Sequence, residues 1–351
     1  MTAIPTFVLG GTGYVAGELL RLLAQHPHLE VAGVLSESQA GTPISSVFPQ
    51  LQDSYGDAAF CDREHLYERF TAGRAALFSA APHGASAALV ADCLARATQA
   101  GTELTIVDVS ADFRYADAAA YEAVYGQAHG APELLASFHC AVPEHLAVSD
   151  RPHVAHPGCF ATALLLASVP LVALDLAAGD LHAVGITGST GSGRTPGPGT
   201  HHPERHGNLY AYKALEHRHA PEVTGLCAAA TGTRPTLHFV PHSGPFARGI
   251  HVTVQAALRE PVHADELRTS LAEFYADNEF IQVHDGTPRV KAVTGSNYCH
   301  LGVATDADGV AVFAVIDNLV KGAAGGALQW MNRQLGWPES TGLRTPAVGW
   351  V

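Results

Sequence analysis

The stretch "IPTFVLGGTGYVAGELLRLL" constrains this chain more than any other, because an apolar run, a glycine turn and a leucine-striped helix follow one another without a break. A strand that feeds directly into a helix is one half of a crossover unit, and the helix must cover a sheet whose next strand runs parallel to the first. Gly10 and Gly13 stand in the turn, with Thr12 between them and Tyr14 and Val15 opening the helix. Ala16 takes the third spaced position, and Gly17 follows it. Backbone N–H groups and the positive end of a helix dipole at such a turn receive a pyrophosphate. The pattern alone is weak, since a turn also uses glycine merely for positive φ, and its place after the first strand favours the dinucleotide reading.

The alternation continues through "LEVAGVLS", "AALFSAAP", "GASAALVADCLARATQAG" and "ELTIVDVSADF", as expected of a parallel sheet with crossover helices. After "HVAHPGC" comes a long apolar helix. The segment "LHAVGITGSTGSGRTPGPGTHHPER" that follows reads as a surface loop of functional length. Alternating strands from "PTLHFVPHSGPFARGIHVTVQAAL" onward point to an antiparallel sheet. The expected architecture is therefore α/β. A Rossmann-type dinucleotide-binding domain spans 1–155, and an α+β catalytic, substrate and oligomerisation domain with a mostly antiparallel sheet spans 156–315. The segment 316–351 carries a helix that returns to the cofactor domain.

Charge narrows the partners. The 20 Lys+Arg against 33 Asp+Glu give a net charge of −13, which argues against nucleic acid and anionic membrane as partners. The N-terminus lacks the basic region of a secretory signal and no stretch is apolar enough to span a bilayer, so a cytoplasmic location is expected. The six cysteines are scattered with no C-x-x-C pair, and they read as thiols. His201, His202 and His206 match no standard metal spacing, so no metal is expected.

Cys159 sits behind Gly158 where the long apolar helix begins. A thiol there gains thiolate character from the helix dipole, as a nucleophile requires, yet a small core residue would sit equally well in that place. The segment "HRHAPE" tips the balance. His217 and His219 are candidate proton donors, and Glu222 is a candidate to orient His219. Two histidines two apart face different ways on a helix, so one of them meets the thiol if the segment is helical. Arg114, Lys213 and Arg248 are candidate anchors for an anionic substrate, with Arg194 as a further cation. His83 and Gly84 in "PHGAS" are placed to approach the cofactor, and Asn318 in "IDNLVKGAAG" to meet the nicotinamide amide. Ser36, Glu37 and Ser38 end the second strand, where a carboxylate suits the ribose hydroxyls of NAD and hydroxyls accept the 2′-phosphate of NADP. On these residues the choice between the two stays open.

Taken together, "GGTGYVAGELLRLL", "PHGAS", "VSADFR", "HPGCFATA", "HRHAPE" and "AVIDNLVKGAAGGALQWMN", in order from residue 6 to about 337, resemble the N-acetyl-γ-glutamyl-phosphate reductase family. That family is the arginine-biosynthetic relative of aspartate-semialdehyde dehydrogenase. The resemblance implies reductive dephosphorylation of an acyl phosphate through a thioester on Cys159, with a histidine of the pair, His219 in preference to His217, moving the proton. It also implies NADP, with NAD as the alternative, and a homodimer or homotetramer. Two departures stand out: Ala16 where the family usually has glycine, and no basic residue near Glu37. The loop before "HRH" also resembles a relative that reduces an aminoadipyl phosphate held on an acidic carrier protein in lysine biosynthesis.

Overall fold

The structure, a computed structural model, describes residues 3–350. The chain folds as two units. The first comprises the residues up to Ala141, Val148–His156 and Ala324–Arg344; the second comprises Val142–Ala147, Pro157–Ala323 and the residues from Thr345 onward.

The first unit is built on a parallel sheet. Its strands are β1 (Ile4–Leu9), β2 (Leu29–Val34), β3 (Gly73–Ser79), β4 (Thr102–Asp108), β5 (Phe138–Cys140) and β6 (His153–Ala155), in the order β2-β1-β3-β4-β6-β5 with every pairing parallel. Helix α1 (Tyr14–Leu23) buries Leu19, Leu20, Leu22 and Leu23, so the leucine stripe is the crossover face. Helix α2 (Ser86–Ala100) has no cap from its own N-terminal residue. Asp112 supplies one from the turn after β4: its carboxylate accepts the N–H of Gly84 at 2.7 Å and of Ala87 at 2.9 Å, and the Tyr121 hydroxyl at 3.0 Å. A buried carboxylate thus satisfies orphan amides at the start of α2 and fixes the "PHGAS" turn to "SADF". The C-terminal helix Gly325–Gln334 belongs to this unit, where the Trp330 indole donates to the Ala141 carbonyl and Asn332 meets His26 at 2.9 Å.

The second unit has a mixed sheet in the order β11-β12-β13-β10-β7-β9-β8. Its strands are β7 (Ala177–Thr187), β8 (Tyr210–Ala211), β9 (Leu237–Ser243), β10 (Ile250–Leu258), β11 (Ile281–Val283), β12 (Cys299–Thr305) and β13 (Gly309–Ile316). The β7/β9 and β11/β12 pairings are parallel, and the rest are antiparallel. The stretch expected as one long loop therefore begins as β7. Leu181, Ala183 and Gly185 alternate inward, and the glycine- and proline-rich part starts only at Gly188, so the average over the whole stretch hid a period-two strand.

Helix α3 (Cys159–Ala173) is buried on all sides from Phe160 to Leu171, and it packs in one core with α4 (His219–Thr231), α5 (Ala264–Phe274) and the sheet. Pro170 lies within α3 and has no N–H to give the carbonyl of Leu166. The hydroxyl of Tyr275, just past α5, donates to that carbonyl instead at 2.9 Å. Behind α3, the Lys321 ammonium meets Glu144 Oε1 at 2.5 Å, with both side chains fully buried.

Removing one partner of such a pair strands the other charge in the core. Lys321→Met is expected to lower unfolding stability by about 3–5 kcal/mol, and Lys321→Met/Glu144→Leu to recover most of that loss, as read by the urea midpoint.

Candidate active site

Cys159 is the first residue of α3, and Gly158, the residue before the helix, is extended (φ −62°, ψ 153°) and offers no side-chain cap. Cys159 is half-buried and stands at the positive end of the helix dipole. Its back is closed by Gly322, where an added Cβ would fall 2.8 Å from the Cβ of Cys159. Nothing larger than hydrogen fits there.

Glu222 lies one turn into α4, on the same face as His219 at its start. Sequence reading expects Glu222 to orient His219. In the structure its Oε1 accepts the N–H of Gly158 at 2.7 Å, so this buried carboxylate locks the turn that carries the thiol to the helix that carries the histidine. The Gly158 amide is thereby spent on Glu222, ahead of the amides that open α3.

The two histidines have different surroundings. His217 Nδ1 accepts the N–H of His219 at 3.2 Å, and its ring is packed edge-on against Phe160, Tyr212 and Phe239. Burial, with Arg218 and Lys213 adding, pushes His217 down from 6.5 to about 4. It is a neutral helix cap at physiological pH. His217 and His219 both line, with Cys159, Tyr212, Lys213 and Arg218, a cavity of about 500 Å³ that also reaches the Gly188–Thr200 loop. Lys213 and Leu215 hold the left-handed conformation (φ 44° and 63°), which costs a non-glycine residue ~1–3 kcal/mol each and is a mark of functional segments. The Tyr212 N–H on Pro241 and the Leu215 N–H on Phe239 pin the segment against β9.

Two of the predicted site residues, the candidate substrate anchor Arg248 and the candidate nicotinamide contact Asn318, have partners within the protein. Arg248 gives Nε and Nη2 to the two oxygens of Asp317 at 3.0 and 3.2 Å and is absent from the cavity lining. Asn318 accepts the Gly249 N–H at 2.7 Å and donates to Thr190 at 2.9 Å, so its amide braces the Thr187–Gly191 turn. Asp317, fully buried, also accepts the N–H groups of Gly295, Leu319 and Val320. Sequence reading missed Asp317, Glu144 and Lys321 because their partners are remote in the chain.

In the first unit the glycine turn fits a dinucleotide. Gly10 has φ +75°, and a Cβ there would lie 2.5 Å from the Ala80 carbonyl oxygen, whereas a Cβ on Gly13 would meet nothing nearer than 3.8 Å. Helix α1 starts behind it with no side-chain cap, so Gly10, Thr12, Gly13, Tyr14 and Val15 frame an open helix N-terminus suited to a pyrophosphate. Ser36 is buried at the end of β2, Ser38 is exposed, and Glu37 between them pairs with Arg63 at 3.3 Å. His83 is exposed beside Gly84, which has φ +86°. Arg114 is fastened to the carbonyls of His156 and Val109 at 3.1 and 3.0 Å. Among the described residues no helix is long and apolar enough to cross a membrane.

Comparison with known proteins agrees with this layout. The family described as "Semialdehyde dehydrogenase, NAD binding domain" matches residues 6–138, and "Semialdehyde dehydrogenase, dimerisation domain" matches residues 159–318. The N-acetyl-gamma-glutamyl-phosphate reductase of Ectopseudomonas mendocina is 39% identical over 97% of this chain and 98% of its own length. That of Methanopyrus kandleri is 38% identical over 97% of each. Among solved structures, aspartate semialdehyde dehydrogenase II from Vibrio cholerae covers 96% of this chain and 99% of its own with a TM-score of 0.69 at 16% identity. The Candida albicans aspartate semialdehyde dehydrogenase with NADP covers 93% and 96% with a TM-score of 0.64 at 17% identity. At these identities the two structures show a shared fold.

The depressed His217 makes a pH prediction. The unfolded chain takes up a proton near 6.5 and the folded ring only near 4, so the stabilisation is full above pH 6.5 and is lost as pH falls toward 4, by up to ~3 kcal/mol. Asp108, pushed up to about 6 by burial, acts in the opposite sense over that window. Comparison with His217→Phe isolates the ring: the variant is expected to be less stable at neutral pH, with a flatter dependence of thermal midpoint on pH between 6.5 and 4.

Proposed function

Because this chain belongs to the N-acetyl-gamma-glutamyl-phosphate reductase family, we propose that it reduces N-acetyl-γ-glutamyl phosphate to N-acetylglutamate semialdehyde, a step of arginine biosynthesis. The observation that carries the reading is the cavity shared by Cys159 at a helix N-terminus, His219, and the cations Lys213 and Arg218.

The thiolate of Cys159 attacks the acyl carbon, the bond to the phosphate oxygen breaks, and phosphate leaves a thioester on Sγ. Thiolate serves better than a hydroxyl both as nucleophile and as leaving group. Lys213 and Arg218 attract the anionic substrate and stabilise the departing phosphate. A reduced nicotinamide, when bound, would supply the hydride for reduction of the thioester. The His219 imidazolium donates its proton to the oxyanion as it forms, and the neutral ring takes the hydroxyl proton back as the C–S bond breaks. Helix-start amides beyond Gly158 stabilise the negative charge on that oxygen before it is protonated and again as the hydroxyl proton is removed. Glu222 keeps the Cys159 turn in register with His219. It is a positioning residue. Arg114 is assigned to the substrate as well, with Arg248 acting indirectly through Asp317.

Gly10, Thr12, Gly13, Tyr14 and Val15 of the first unit would hold the dinucleotide, with Ser36, Ser38, His83, Gly84 and Asn318 as further candidate binding residues, and NADP is the form we assign. We assign 1–155 to the dinucleotide, 156–315 to substrate and oligomerisation and 316–351 to the return of the chain, with Val142–Ala147 and the segment up to Ala323 grouping with the second unit. A homodimer or homotetramer, in the cytoplasm, is supported by one sheet face that carries Val240, Val184, Thr253 and Phe313 in register across four strands, with Val184 44% exposed. The free acyl phosphate is preferred to a carrier-linked one, since an acidic carrier would meet a chain of net charge −13.

The test is phosphate-dependent reduction of NADP by purified protein given N-acetylglutamate semialdehyde. Cys159→Ser is expected to abolish the activity, and His219→Asn to lower kcat by about 10²–10⁴-fold with an unchanged thermal midpoint. Full activity in Cys159→Ser would overturn the assignment.

A further inference from the structure

We propose that Arg63 and Glu37 together read the 2′ position of the bound dinucleotide, the guanidinium taking a 2′-phosphate and the carboxylate a 2′-hydroxyl. This rests on the dinucleotide reading above and adds to it the residues that choose between NADP and NAD.

No arginine follows β2 in sequence; the fold delivers one. Leu35 bridges Cys61 in parallel, the Ser36 N–H donates to the Cys61 carbonyl at 3.0 Å, and the Cys61 N–H donates to the Val34 carbonyl at 3.0 Å. The segment at Cys61 therefore continues the sheet beside the end of β2. The short helix Arg63–Tyr67 starts two residues later, with the Asp62 carboxylate accepting the N–H of His65. Arg63 Nε is thereby brought 3.3 Å from Glu37 Oε1, and Nη1 lies 3.4 Å from Asp92 Oδ2 on α2.

The end of the second strand of a Rossmann unit meets the adenine ribose; an acid there binds the 2′-hydroxyl, and a nearby arginine accommodates a 2′-phosphate. Here both groups are present and paired with each other. Their side chains are 56% and 42% exposed, so the pair is solvent-screened and exchanges partners at little cost. A phosphate monoester offers the guanidinium a stronger, forked pairing than the single exposed contact to Glu37. Asp92 then remains as the counter-ion on the far side of Arg63. When the ribose carries only a hydroxyl, Glu37 accepts it. Leu35 also takes the N–H of Gly11 at 2.8 Å, and a Cβ on Gly11 would strike Val34 and the Leu35 carbonyl. This reader and the pyrophosphate turn are thus parts of one frame.

The experiment is binding by titration calorimetry of NADPH, NADH, adenosine 2′,5′-bisphosphate and 5′-AMP to the full chain, its Arg63→Gln and its Glu37→Gln variants. Arg63→Gln is expected to weaken NADPH and the bisphosphate by at least about tenfold, as for a lost hydrogen bond to a charged group, while NADH and 5′-AMP hold within about twofold. Glu37→Gln is expected to weaken NADH and to tighten NADPH. Unchanged NADPH affinity in Arg63→Gln, or unchanged NADH affinity in Glu37→Gln, overturns the reader while leaving the dinucleotide site intact. Binding of neither dinucleotide by the wild-type chain overturns both.

Discussion

The buried carboxylate of Asp317 has to be paired, and the catalytic unit is organised by the way it is satisfied. Arg248 takes both oxygens, and the amides of Gly295, Leu319 and Val320 complete the set. An ionised carboxylate without those partners would be too costly to bury. Its partners fix the direction in which the chain leaves β13, and that exit runs as a π-helical turn, Val320–Ala324. The turn presents Gly322 to Cys159 and sends Lys321 inward to Glu144. Asn318, the next residue along, braces the turn after β7. One short segment thus sets the back wall of the thiol and the base of the loop that lines the cavity.

From the other side, Glu222 performs the matching task. A single bond to the Gly158 amide ties the helix that begins at His219 to the helix that begins at Cys159. Cys159 and His219 therefore stand on helix starts that share a core, rather than on loops. Side chains held in this way need little further ordering to act together.

Local pattern made much of this legible. Gly10 and Gly13 after a strand, the leucine stripe of α1, and Cys159 behind Gly158 are each statements about neighbours in sequence, and the structure places them in the expected elements. What stayed hidden depends on distance along the chain. Arg248 looked like a free cation because Asp317 lies 69 residues away, and Glu144 and Lys321 lie 177 apart. The bond from the Gly158 N–H to Glu222 spans 64 residues. The missing basic residue near Glu37 was supplied by Arg63 through a strand pairing at Cys61 that no period in the sequence announces. The β7 strand was masked by the glycines and prolines downstream of it.

The central claim is that Cys159 carries the acyl group. Mixing the protein with N-acetyl-γ-glutamyl phosphate in the absence of dinucleotide, quenching in acid, and weighing the intact chain and its peptides tests it directly. The account predicts a burst of phosphate equal to the number of active sites and a mass increase of one N-acetylglutamyl group on the peptide that contains Cys159. Phosphate release with no adduct, or an adduct on any other residue, would contradict it.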